Sequence, residues 1–160
     1  MENKLVIGIA DMKMAQSSGM LVTYALGSCI GICLYDATIK LGALVHIMLP
    51  LNMETGRKNP MKYADTGIRE TLRQMEAKGA RRVRITAKIA GGAKMFDVGG
   101  NTSLGNIGQR NIESVRLILK NERVRILKED LGGSVARTLL FDVSNGMACV
   151  RSYGKPELII

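Results

Sequence analysis

Short blocks of aliphatic and β-branched residues alternate along this chain with glycine-bearing turns, and twice the pattern changes to helical spacing. Leu5–Ile9, Leu21–Leu26, Ile30–Tyr35 and Leu41–Met48 are rich in Val, Ile, Leu and Tyr and are bounded by glycines and polar residues, which predicts four strands. Asn59-Pro60 reads as a helix start, with an asparagine cap and a proline at the first helical position. Ala64, Ile68, Leu72 and Met75 follow at helical spacing, and Gly79 is a natural stop. Val83–Ala90 returns to strand, with Val83 and Ile85 expected inward and Arg82 and Arg84 outward. A glycine-rich loop holding Gly91-Gly92 and Gly99-Gly100 leads to a second helix, Ile107–Leu119, whose buried stripe is Ile112, Val115 and Leu119. Val124–Leu127, Ala136–Val143 and Met147–Tyr153 close the chain as strands. Between the last two, Asn145-Gly146 is a strong hairpin signal because both residues tolerate positive φ. Eight strands and two helices predict an α+β fold, a layered sheet of mixed or antiparallel strands with two main helices packed against it. No linker, repeat or low-complexity block divides it, so one domain over residues 1–160 is expected.

Composition narrows the class. A chain of 160 residues with 46% hydrophobic content has the material for a core, and at this size a domain removes about 70% of its unfolded surface from water. That core is aliphatic, since aromatics are 4%, tryptophan is absent and ten methionines are available to fill gaps. No apolar run approaches the roughly 18 residues that span a bilayer, and Met1-Glu2-Asn3-Lys4 does not open a secretory signal, so a soluble intracellular protein is expected. Three cysteines with one histidine and no C-x-x-C spacing fit neither a disulfide framework nor a zinc site. Cys33 and Cys149, flanked by apolar residues, read as core fillers. Asp11, Asp36, Asp65 and Asp97 are scattered, with no carboxylate pair for glycosidase or metal chemistry. The net charge of +9 draws polyanions or acidic protein surfaces, yet no nucleic-acid motif accompanies it. The densest basic run, Lys78 to Arg84, reads as a solvated strand face or as a docking surface for an acidic partner.

The candidate chemistry is a thiol and an imidazole. Cys29 ends the run Leu26-Gly27-Ser28-Cys29, and the chain's one histidine, His46, follows seventeen residues later. Together they are the minimum equipment for cysteine nucleophilic catalysis. A hairpin centred between Ala37 and Thr38 would set Asp36 against Ile39, Tyr35 against Lys40 and Cys29 against His46, with β-carbons about 4.5–5.5 Å apart. A thiolate so paired has its pKa drawn below roughly 8.5. Thr23, on the neighbouring strand, is placed to accept a hydrogen bond from the far imidazole nitrogen and fix the tautomer. Gly27 permits a tight turn that exposes the amides of Ser28 and Cys29 as oxyanion donors. Ordinary packing remains the alternative, since a cysteine beside a glycine and a histidine on an apolar strand are common core features.

Thr23-Tyr24-Ala25-Leu26-Gly27-Ser28-Cys29, followed by Gly42-Ala43-Leu44-Val45-His46-Ile47-Met48-Leu49-Pro50, resembles the signature of the CheD family, the chemoreceptor glutamine deamidases. The likeness continues through Lys62-Tyr63-Ala64-Asp65, Lys88-Ile89-Ala90-Gly91-Gly92-Ala93-Lys94-Met95-Phe96, Ile107-Gly108-Gln109-Arg110-Asn111 and Gly132-Gly133 with Arg137. It implies a protein-glutamine glutaminase that converts glutamines of methyl-accepting chemotaxis receptors to glutamate and releases ammonia. By position, Cys29 would be nucleophile, His46 base and acid, and Thr23 the orienting residue, with Gly27 and Ser28 at the oxyanion turn. It further implies no metal or organic cofactor, a cytoplasmic location, and the helical cytoplasmic region of the receptors as substrate. Hydrolysis of receptor methyl esters and a regulatory partnership with the phosphatase CheC are the alternatives within the same resemblance.

Overall fold

The computed structural model describes residues 4–51, 59–95 and 106–160, and among them ten strands and two α-helices. The strands are β1 (Lys4–Val6), β2 (Asp11–Gln16), β3 (Met20–Leu26), β4 (Ile30–Asp36), β5 (Leu41–Ile47), β6 (Ile85–Gly91), β7 (Arg125–Leu131), β8 (Arg137–Asp142), β9 (Met147–Ser152) and β10 (Leu158–Ile159). The helices are α1 (Ala64–Ala77) and α2 (Ile107–Asn121). They make three layers. One sheet runs β1-β3-β8-β9-β10, the other β2-β5-β4-β6-β7, and both helices cover the outer face of the second. Each sheet is antiparallel except at one pair, β1 with β3 and β6 with β7. The fold is α+β, as the pattern implies.

Strand alternation sorts the core into two sheets of side chains. Ile30, Ile32 and Leu34 of β4 and Ala43, Val45 and Ile47 of β5 face the helices, where they meet Ile68, Leu72 and Met75 of α1 and Ile112, Val115 and Leu119 of α2. Residues of the other parity, Cys33 of β4 and Leu44 of β5, face the first sheet and pack with Leu21, Leu139, Phe141 and Val150. Each such aliphatic side chain contributes about 1.5–3 kcal/mol on burial. Among the described residues no helix is long and apolar enough to cross a membrane.

Several expectations are corrected. The β4–β5 reversal takes four residues, Ala37–Lys40, so Asp36 pairs with Leu41 and His46 pairs with Gly31 rather than Cys29. The cause is Asp36: its carboxylate accepts the Thr38 N–H at 3.1 Å and is buried against Arg84 at 2.9 Å, while Lys40 takes φ 49. The register thus moves by two residues, which preserves the face of every side chain. Val83 does not point inward. It is 90% exposed on a 3-10 turn, Arg82–Arg84, and the strand starts at Ile85. Arg84 turns in to Asp36 and Arg82 reaches Glu76 and Glu122, so the basic run is no free strand face.

Asn59 caps a separate turn, Pro60–Lys62, and extended Tyr63 breaks it from α1. Gly146 alone takes positive φ at the β8–β9 reversal, which spans Val143–Gly146 and closes through Gly146 N–H to Asp142 O. The first strand stops at Val6, and β2 and β10 are strands that the hydrophobic pattern does not predict. Cys149 is half-buried rather than a core residue, whereas Cys33 is a core residue. Gly99-Gly100 lies outside the described residues.

Candidate active site

The site lies at one end of the layer between the two sheets. Leu21 of β3 and Leu44 of β5 belong to that layer, so Thr23 and His46, two residues further on, share its faces. Cys33 belongs to it as well; Cys29, four residues earlier, has the same parity and packs against the same cluster. Thr23, His46 and Cys29 therefore converge on one layer despite the shifted register. Gly31, opposite His46, leaves room there, since a Cβ would lie 2.8 Å from the Leu139 side chain and 3.5 Å from the Thr23 methyl.

His46 is fully buried, and its Nδ1 lies 2.7 Å from Thr23 Oγ1. The direction of that bond follows from the next one. Thr23 donates its single hydroxyl proton to the Ile7 carbonyl at 2.8 Å, and a carbonyl only accepts. Thr23 must therefore accept from His46, which places the ring proton on Nδ1 and the lone pair on Nε2. Nε2 is buried with no hydrogen-bond partner among the described residues, so no bond joins it to the Cys29 sulfur at rest. Burial holds the ring neutral, with its pKa down to about 4. Burial also pushes the Cys29 thiol up, against a smaller opposing pull from its own backbone N–H. The resting pair is thus thiol and neutral imidazole, not the lowered thiolate that the spacing suggested.

Three carbonyls around the thiol point into the protein. Gly27 O accepts from Ala93 N–H at 2.8 Å, Ser28 O from Asn111 Nδ2 at 2.9 Å, and Cys29 O from Gly92 N–H at 2.9 Å. In a trans peptide plane the N–H points opposite to the C=O. The Ser28 and Cys29 N–H groups are therefore turned away from these anchors, and among the described residues neither is bonded to an oxygen. This is the donor pair the sequence pointed to. Its turn differs in detail, because Ala25 rather than Gly27 takes the positive φ, at 56, and Gly27 instead makes room for the Met95 side chain. Gly91 is the obligatory glycine: it has φ 122, and a Cβ there would lie 2.2 Å from Cys29 O.

Hydrophobic patterning leaves three contributors unmarked, although Asn111 and Arg137 lie in the motifs that carry the family resemblance. Ile7 acts through its backbone and carries no side-chain signal. Arg137 is nearly buried and clamps Asp130, Gly91 O and Gly132 O, fixing the glycine loops behind the thiol. Asn111 was detectable in principle, as an amide on the apolar stripe of α2. Among the described residues no three His, Cys, Asp or Glu side chains gather to hold a metal ion.

Fold and site together define an α+β layered protein carrying a thiol, a tautomer-fixed imidazole and, among the described residues, two backbone N–H groups with no oxygen partner at one end of its inter-sheet layer. The chain matches a family model described as CheD chemotactic sensory transduction over residues 48–152. A Syntrophomonas wolfei protein named probable chemoreceptor glutamine deamidase CheD is 45% identical over 161 residues, covering 100% of both chains. Proteins of the same name from Clostridium botulinum strain Alaska E43 and Desulforamulus reducens are 45% and 43% identical, over 96% and 98% of this chain and 96% and 95% of theirs. The chain belongs to the CheD family. The family model begins two residues past His46, whereas the match to the Syntrophomonas wolfei protein covers the whole chain, positions 23, 29 and 46 included.

Proposed function

We propose that this protein is a glutamine deamidase of methyl-accepting chemotaxis receptors, a cysteine hydrolase acting on side-chain carboxamides in the receptors' helical cytoplasmic region. The observation that carries the reading is the Thr23–His46 bond of 2.7 Å, with the hydroxyl proton already given to Ile7 O. That chain of bonds leaves Nε2 as a proton acceptor in the same layer as the Cys29 thiol.

Cys29 is the nucleophile and His46 the base and acid. As the sulfur attacks the glutamine carboxamide carbon, its proton passes to Nε2, and the resulting imidazolium is held by Thr23 at Nδ1. The carbonyl oxygen becomes an oxyanion facing the Ser28 and Cys29 N–H groups, while Gly27 keeps that turn open to the Met95 side chain. Imidazolium then protonates the departing nitrogen, ammonia leaves and a thioester remains. His46 next takes a proton from water, the hydroxide adds to the thioester, and the thiol departs with that proton, leaving glutamate. Every step uses side chains, backbone and water alone. Receptor methyl esters enter the same acyl chemistry with methanol as leaving group, and a regulatory contact with CheC is compatible with an active enzyme.

The test is intact mass spectrometry of a receptor cytoplasmic fragment incubated with the protein. Wild type should add the small mass increment of exchanging an amide NH2 for a hydroxyl, and release ammonia in step. Folded Cys29→Ala should add none. Conversion by Cys29→Ala would remove the thiol from the mechanism, and release of methanol without ammonia would make the protein an esterase instead.

A further inference from the structure

We infer that Asn111 is a positioning residue of this site, bracing the Ser28 and Met48 carbonyls so that the Cys29 N–H is aimed at the reacting carbonyl oxygen. The inference rests on the proposed reading of Cys29 as nucleophile. The β4–β5 ladder ends at the rung joining Ile30 to Ile47, so Cys29 and Met48 are the first residues beyond it. At that point one amide spans the two chains. Asn111 Nδ2 donates to Ser28 O and to Met48 O, each at 2.9 Å. Both partners only accept, so the NH2 end must face them, and the flipped amide would set carbonyl against carbonyl. One strut therefore ties the residue before the nucleophile to a residue two positions after the imidazole.

Two further observations point to the site rather than to stability. Asn111 is fully buried on the side of α2 that also carries Gly108, Ile112, Ser114 and Val115, and among the described residues its Oδ1 is buried with no partner. An unmet buried oxygen works against folding, so the amide is held there by its two donated bonds and not by the packing of that face. What the amide adds is the donated pair of bonds. Because the peptide between Ser28 and Cys29 is planar, holding Ser28 O inward turns the Cys29 N–H outward, away from that anchor. α2 is itself seated on the same loop, since a Cβ at Gly108 would lie 2.6 Å from Ala93 O and 2.7 Å from Gly92 O.

The test compares full-length wild type, Asn111→Leu and Cys29→Ala on a receptor cytoplasmic fragment. Asn111→Leu keeps the branched shape and the number of heavy atoms and removes both donors. Deamidation forms an oxyanion and needs the amide donors; alkylation of Cys29 by iodoacetamide displaces iodide at a saturated carbon and does not. The expected result is a fall in kcat on the order of 100-fold for Asn111→Leu. KM and the Cys29 alkylation rate, followed by peptide mass across pH, should stay within about threefold with an unchanged pH midpoint. The inference is overturned if kcat stays within about threefold of wild type, or if alkylation falls in step with it, which would signal a misplaced thiol. If Asn111→Leu does not fold, Asn111→Ser, with one shorter donor, is judged by the same two criteria. Deamidation by Cys29→Ala would sink the nucleophile reading and this inference with it. A fully active Asn111→Leu beside an inactive Cys29→Ala would sink the inference alone.

Discussion

His46 is set to take a proton, not to share a standing charge with the thiol. Its pKa of about 4 comes from burial and the Cys29 thiol is raised by the same cause, so neither ionises by itself near neutrality. In the proposed mechanism, proton transfer is thereby coupled to attack. The folded pKa of the ring lies below its unfolded value of 6.5, so unfolding takes up a proton within that window. The stability from keeping the ring neutral is complete above pH 6.5 and is lost as pH falls to about 4, a change on the order of 3 kcal/mol. Because this is the chain's one histidine, its ring nitrogens are read without ambiguity by NMR of protein labelled with nitrogen-15. The expected spectrum has the proton on Nδ1 throughout neutral pH, and a ring titration well below 6.5 that coincides with the acid limb of kcat/KM. A ring that titrates near 6.5, or carries its proton on Nε2, would contradict the bonding through Thr23 to Ile7. Cys29 and His46 stand out in the sequence because thiols and imidazoles are rare in this chain, whereas Thr23, one of eight threonines, is offered only by its place on the neighbouring strand. The tautomer is not legible there, since it is decided by the backbone carbonyl of Ile7, just past β1, which no residue type announces.

Among the elements, those with a side-chain stripe were the legible ones. β3, β4, β5 and both helices follow from runs and spacings whose buried members are the ones expected, such as Ile68, Leu72 and Met75 on α1. β2 alternates Met12 and Met14 with Lys13, but methionine is a weak strand signal, and β10 has two residues. The β4–β5 register differs from the expected one because the turn is chosen by Asp36, whose ties to Arg84 and to the Arg81 N–H come from far along the chain. The site survives the slip because it is even. Its rigidity depends instead on α2 lying close against the loop at Gly92-Ala93, which Gly108 alone permits. Gly108→Ala should therefore lower stability despite alanine's better helix propensity, by about 1–3 kcal/mol, because the nearest atoms are backbone. It should lower kcat as well, through the Ala93 N–H that holds Gly27 O. Urea midpoints and steady-state rates check this, and a stabilised, fully active Gly108→Ala would show that the helix stands off the loop.

For the whole molecule, the net charge of +9 acquires a direction once the site is located. Arg116, Arg137 and Arg151 are paired with Glu129, Asp130 and Glu157 and contribute little to an outward field. Exposed Lys94 follows directly on Ala93, exposed Arg110 lies on the first turn of α2, and half-buried Lys62 receives Met48 and Leu49 through its carbonyl. All three stand on segments that build the site. An acidic helical receptor surface would be steered to that end, and the steering acts on encounter rather than on the bound complex. Raising salt from about 50 to 500 mM should then lower kcat/KM on the order of tenfold and leave kcat nearly constant. Lys94→Glu with Arg110→Glu should reproduce the loss at low salt and flatten the salt dependence. Lys120→Glu, at the far end of α2 about 15 Å from Arg110 along the helix axis, should do neither beyond its share of net charge. If the three charge changes per unit charge prove equivalent, attraction is a property of the total charge and the site end holds no privilege.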